Sequence, residues 1–224
     1  TLDFPGYGLS PAAADDDLSL AEQSDILGRF VDAVDLSDVT LVLHDLGGLV
    51  GMGFAAANSQ RVRGLVMANT FAWEPDGKSL RRMLRAVASR PVTGLDRLTG
   101  FIPRLTATGS GVGRHLDRAG KKAFLGPFAD RHRIRRFHTT IGDALYSGEL
   151  YGRIETATAG VLRDLPVLTI FGERNDPFGF QERHRATFPD CESVVVPKGN
   201  HFPMMDAPDL FADAVTDWWA RKVQ

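Results

Sequence analysis

Thirteen residues, Val39-Thr40-Leu41-Val42-Leu43-His44-Asp45-Leu46-Gly47-Gly48-Leu49-Val50-Gly51, constrain the fold more than any other part of the chain. Val39 to Leu43 is an unbroken aliphatic and β-branched run, the pattern of a strand covered on both faces in a parallel sheet. Gly47, Gly48 and Gly51, followed by Ala55, Ala56 and Ala57, let a helix pack close against that strand. A buried strand that turns abruptly into a glycine-rich helix lifts the residue at the turn over the helix N-terminus. That residue is Asp45. A carboxylate is ionised at neutral pH and can attack an electrophilic carbon without a base, leaving an ester on the enzyme. The plainer reading is that Asp45 only caps the helix, as Asp often does.

The 224 residues, 43% hydrophobic with a formal net charge of -2, suffice for one α/β domain with an insertion. Nothing in the charge balance asks for nucleic acid. Cys191 is the sole cysteine, so no internal disulfide forms, which fits a reducing compartment. No apolar run reaches eighteen residues, so no membrane span is expected.

Asp3-Phe4-Pro5-Gly6-Tyr7-Gly8-Leu9-Ser10-Pro11 reads as a turn segment past a strand end, and Leu20 to Val34 as a helix. Gly64 to Ala68 is the next strand, ending in Asn69-Thr70-Phe71-Ala72-Trp73. From Glu74 to Asp164 strand and helix cease to alternate, and about 17 basic side chains face 9 acidic ones. Apolar spacing at Leu80, Met83, Leu84 and Val87, and at Phe137, Ile141 and Leu145, predicts a helical insertion. Its Arg131-His132-Arg133-Ile134-Arg135-Arg136 cluster either draws an anionic substrate or partner or is a solvated helix face. Alternation resumes with a strand at Val167 to Phe171, a helix at Gln181 to Phe188, a strand at Ser193 to Val196 and a closing helix from Pro208 to Arg221. The expected domains are therefore a core at 1–73, a helical cap at 74–164 and the rest of the core at 165–224.

Asp176 follows the strand ending at Phe171, and His201 follows the one ending at Val196. In a parallel sheet the carboxyl ends of the strands share one rim, so Asp45, Asp176 and His201 should converge. Their order is nucleophile, acid, histidine. Alone, Asp176 before Pro177 could form an Asx turn and His201 could be a surface residue; three such coincidences at three strand exits favour a triad.

Together these motifs resemble the α/β-hydrolase superfamily, and within it the aspartate-nucleophile branch of haloalkane dehalogenases, epoxide hydrolases and fluoroacetate dehalogenases. The resemblance rests on Asp3-Phe4-Pro5-Gly6-Tyr7-Gly8-Leu9-Ser10, His44-Asp45-Leu46-Gly47-Gly48, Gly172-Glu173-Arg174-Asn175-Asp176-Pro177 and Gly199-Asn200-His201-Phe202. It implies an α/β-hydrolase fold with a mostly parallel sheet and a helical cap inserted after the strand ending near Ala68. It also implies that the first strands of the fold would precede Thr1, so the chain is read as part of a longer protein. Asp45 would displace halide or open an epoxide, and His201 would activate water with Asp176 holding its ring. The Leu46 backbone N–H would be one oxyanion donor.

Leu43 and the Asn69-to-Trp73 segment lean toward the dehalogenase-like side, although Leu46 stands where the typical dehalogenase has a halide-binding Trp. His44, Asn69, Trp73, Tyr146 and Tyr151 are the pocket candidates, the two tyrosines as proton donors if the substrate is an epoxide. The same motifs are also compatible with β-lactone opening, or with a catalytically silent scaffold used for binding. Neither a metal nor an organic cofactor is implied. The expected partners are a small apolar organic substrate and water, with no nucleic acid or membrane, and the default location is the cytoplasm.

Overall fold

The computed structural model describes residues 1–13, 16–109 and 111–224. Two compact units emerge: Thr1–Gln23 with Glu74–Gly148, and Ser24–Trp73 with Glu149–Gln224.

The second unit is the α/β part. Helix α1 (Leu20–Ala33), most of which belongs here, leads into β1 (Val39–His44), α2 (Gly47–Ala57) and β2 (Val62–Ala68). After the helices of the other unit, the chain returns through α8 (Gly148–Ala159), β3 (Val167–Gly172), α9 (Phe180–Thr187), β4 (Cys191–Val196), α10 (Pro203–Asp206) and α11 (Pro208–Lys222). The four strands form one parallel sheet in the order β1-β2-β3-β4. All six residues of β3 are buried, as the unbroken Val167-Leu168-Thr169-Ile170-Phe171 run requires of a strand covered on both faces. On one face Val66, Leu168, Ile170 and Val196 pack on Trp218 of α11, with Phe211, Ala214 and Val215 alongside. Each fully buried side chain of this size contributes about 1.5–3 kcal/mol of transfer free energy.

Helix α2 lies so close to the sheet that its glycines are obligatory. A Cβ on Gly51 would come within 2.2 Å of Leu43, and one on Gly48 within 1.8 Å of the Thr70 hydroxyl. Register then sets the rim: His44 pairs with Ala68 and Gly172 with Val196, so the segments carrying Asp45, Asn69, Asn175 and His201 all leave the sheet at its carboxyl end.

The other unit holds α3 (Lys78–Val87), α4 (Arg90–Thr99), α5 (Phe101–Thr106), α6 (Arg118–Leu125) and α7 (Arg131–Asp143), with no strand among its described residues. Its centre is a buried pair, His138 Nε2 at 2.9 Å from Asp96 Oδ2. His138 Nδ1 donates to the Val87 carbonyl at 2.7 Å, and Asp96 Oδ1 accepts from the Ile102 amide, so one pair joins α3, α4, α5 and α7.

The units divide the chain differently from the expected domains. Residues 1–23 group with the helices: the Tyr7 hydroxyl bonds Thr140, Arg133 and Arg136 donate to the carbonyls of Gly8 and Ala13, and the Leu20 amide donates to Asp143. Residues 149–164 group with the sheet, because Leu150 of α8 packs where Gly53 of α2 leaves room for it.

Candidate active site

Asp45 stands between β1 and α2 with φ at +50°, in the left-handed region that costs an ordinary residue about 1–3 kcal/mol. Hydrogen bonds over-determine that turn. The Gly48 amide donates to the Asp45 carbonyl at 3.0 Å, and the Thr70 hydroxyl donates to the same oxygen. Thr70 is in turn held by His184 of α9, whose Nε2 donates to the Thr70 carbonyl at 3.0 Å. His184 is fully buried, its Nδ1 has no partner, and burial pulls its pKa down to about 4.

The carboxylate faces His201, whose Nε2 lies 2.9 Å from Asp45 Oδ2. Asp45 keeps 55% of its side-chain exposure, so a reactant can reach it, although protein atoms crowd it at longer range. That crowding alone would push its carboxyl up. The hydrogen bond and charge of His201, then His44 and the Leu46 amide, outweigh it, and the net shift is downward. The Leu46 amide is the smallest contributor to that lowering. His44 donates from Nε2 to the His201 carbonyl at 2.7 Å. Its own pKa is lowered, first by burial and then by the nearby His201, so it serves as a neutral brace for the His201 ring.

Asp176 does not occupy the place the sequence suggested. Its Oδ1 accepts from the Phe180 amide at 2.7 Å and its Oδ2 from the Gln181 amide at 3.0 Å, which spends the carboxylate on the first turn of α9. The side chain against His201 is that of Asn175, its Nδ2 at 3.2 Å from Nδ1. A carboxylate accepting at Nε2 and an amide donating at Nδ1 hold the ring proton on Nε2. Asn69, buried and with φ at +40°, braces this loop by accepting from the Gly172 amide at 2.8 Å and donating to the Asn175 carbonyl at 3.0 Å. It is a scaffold for the site, not a wall of a pocket.

The remaining candidates separate. Trp73 packs on His184 with ring centroids 4.7 Å apart, and the Arg183 guanidinium lies 4.4 Å over its ring. Tyr151 is buried in the sheet-bearing unit, whereas Tyr146 is exposed on a cavity of the helical unit. Asn175, Thr70 and His184 were missed. The signal available for Asn175 was its position three residues after Gly172; Thr70 and His184 act through backbone carbonyls and leave no spacing signature.

Among the described residues no cluster of three or more His, Cys, Asp or Glu could hold a metal ion. Cys191 is no nucleophile, because burial pushes its thiol up to about 11. Nor is any helix of the described residues long and apolar enough to cross a membrane.

An acid on a strained turn between a strand and a glycine-rich helix, paired with a histidine from the last strand's exit, has known relatives. The family described as "Alpha/beta hydrolase family" matches residues 1–214. The chain belongs to the alpha/beta hydrolase family. This hydrolase is 28% identical over 220 residues to haloalkane dehalogenase 2 of Mycobacterium bovis, covering 96% of this chain and 76% of that protein. It is 29% identical over 223 residues to the cis-3-alkyl-4-alkyloxetan-2-one decarboxylase of Shewanella oneidensis, covering 92% and 69%. The crystal structure of haloalkane dehalogenase DbeA from Bradyrhizobium elkani has the same fold, with a TM-score of 0.80, 20% identity and coverage of 98% and 79%. The protein is thus a haloalkane dehalogenase-like α/β hydrolase.

Proposed function

We propose that this hydrolase cleaves a carbon–halogen bond through a covalent ester on Asp45. The observation that carries the reading is the Asp45–His201 pair on the strained turn. In the first step an Asp45 oxygen attacks the carbon opposite the halogen. A carbon–oxygen bond forms, the carbon–halogen bond breaks, and halide leaves with the electron pair. In the second step His201 takes a proton from water, and the resulting hydroxide adds to the ester carbonyl while the Leu46 N–H stabilises the oxyanion. Collapse breaks the alkyl-oxygen's bond to the carboxyl carbon, the departing oxygen takes the proton from the His201 imidazolium to leave as the alcohol, and the carboxyl of Asp45 loses its proton to solvent and is again a carboxylate. Esterification removes the carboxylate that held the proton on Nε2. When the Asn175 amide then turns over and the ring gives its Nε2 proton to solvent and takes one at Nδ1, Oδ1 accepts from Nδ1–H and Nε2 is left bare for water.

Opening of a β-lactone is the second reading, favoured by the oxetanone-decarboxylase relative at similar identity and by Leu46, which has no side-chain halide donor. The strained ring's alkyl carbon–oxygen bond would break with a carboxylate as leaving group.

A single turnover in heavy-oxygen water tests the covalent step. Label should enter the Asp45 carboxylate and not the alcohol. Label in the alcohol would mean that water attacks carbon directly and would refute the ester. Turnover with a β-alkyl-β-lactone but no bromoalkane would transfer the same step to the second substrate class.

A further inference from the structure

The net charge of -2 conceals a strong segregation. The helical unit, residues 1–23 with 74–148, holds fifteen Lys and Arg against eleven Asp and Glu, a surplus of four, all fifteen bases lying in 74–148, while the rest of the chain carries a deficit of six. Within this basic unit Arg90, Arg97 and Arg135 line one cavity of about 750 Å³, with Thr93, Asp143 and Tyr146. The Asp143 carboxylate already accepts from the Leu20 amide. None of the three guanidiniums has a carboxylate partner among the described residues.

Beside them lies apolar surface that folding has not covered. Leu95 keeps 55% of its exposure, Leu98 71% and Leu105 59%. On α4 the cavity residues Arg90, Thr93, Gly94 and Arg97 follow the i, i+3, i+4, i+7 spacing of one face; Leu98 occupies the flank adjoining it, Leu95 lies one turn back and farther round the same side, and buried Asp96 falls on the opposite flank. A second cavity, of about 310 Å³, shares Arg97 and is walled by Leu98, Leu125, Phe128 and Ile134, with Arg104 and Arg131.

We propose that the helical unit docks on the surface of an anionic phospholipid bilayer, with Leu95, Leu98 and Leu105 entering the acyl boundary and Arg90, Arg97 and Arg135 receiving headgroup phosphates. A basic face laced with exposed leucines is the composition of an interfacial helix pair, whereas a nucleic-acid face would not set three leucines in solvent. Docking reverses the expectation drawn from net charge alone, and it would bring the enzyme to the phase where apolar substrates collect. The inference does not depend on the chemistry at Asp45.

The test is sedimentation of the full chain with extruded vesicles of phosphatidylcholine alone, or with a third of the lipid replaced by phosphatidylglycerol. Binding should be about tenfold tighter or more to the anionic vesicles and should fade as salt shortens the Debye length from about 10 Å to about 3 Å. Arg97→Glu with Arg135→Glu, and separately Leu95→Ser with Leu98→Ser, should each weaken it by roughly fivefold or more per residue. These exposed positions should leave the melting temperature and the turnover of a water-soluble substrate unchanged. Absence of binding to anionic vesicles, equal binding to both kinds, or binding indifferent to the leucine changes would overturn the proposal. Tight binding to duplex DNA with none to vesicles would assign the charge to a nucleic acid instead.

Discussion

His184 allows a prediction worked directly from the structure. It is fully buried, its Nε2 donates to the Thr70 carbonyl, and burial lowers its pKa from 6.5 to about 4. The unfolded chain therefore binds a proton at a pH where the folded chain does not. Stability from this residue is complete above pH 6.5 and is lost as the pH falls toward 4. At about 1.4 kcal/mol per pKa unit, the loss reaches about 2 kcal/mol at pH 5 and about 3 kcal/mol at pH 4. Urea unfolding of the protein and of His184→Gln, which keeps a donor for Thr70 but does not titrate, measures this against a common background of carboxylate titration. The difference in unfolding free energy between the two should swing by about 3 kcal/mol between pH 7 and pH 4 in favour of the variant. A difference that is flat across this range would refute the claim that His184 is buried neutral beneath the Asp45 turn.

Three further outcomes follow from the same geometry. Asn175→Asp would put a charge about 3 Å from Nδ1 of a ring that is one-third exposed, stabilising the imidazolium by about 1–2 kcal/mol and speeding hydrolysis of the proposed ester roughly tenfold; quenched-flow mass spectrometry of the alkylated enzyme would show it, and an unchanged rate would contradict it. Gly48→Ala would drive its methyl into the Thr70 hydroxyl and should cost about 1–3 kcal/mol in chemical denaturation; combined with Thr70→Ala it should cost measurably less than the two single changes added together. Asp96→Ala would strand His138 in the interior of the helical unit and should destabilise it by about 3–5 kcal/mol, whereas Asp96→Leu with His138→Phe should recover much of that loss by thermal melting.

The elements most legible in the sequence were those whose residues repeat. Val167 to Phe171 is the covered strand its run predicts, and the glycines after Asp45 announced the close helix that the structure places against Leu43 and Thr70; Val39 to Leu43 is a strand but not a covered one, because β1 lies at the edge of the four-stranded sheet, where Leu43 is buried and Val42 keeps 55% of its exposure. Parallel order then brought Asp45 and His201 to one rim across 156 positions of chain. Choosing between Asn175 and Asp176 lay beyond this logic. The loop after β3 has no period, so adjacent residues point in unrelated directions, and the amides at the start of α9 captured the carboxylate that reads as catalytic. Residues 1–23 and 149–164 were assigned by chain continuity, whereas long-range contacts such as Tyr7 to Thr140 and Gly53 to Leu150 decide their grouping.

The most direct test of the covalent reading is the intact mass of His201→Ala after exposure to a bromoalkane. Without the imidazole no group activates water, so the ester should persist and the protein should gain the mass of the alkyl group without bromine, located on Asp45 by peptide mapping. An unmodified protein, or an adduct on any residue other than Asp45, would contradict it.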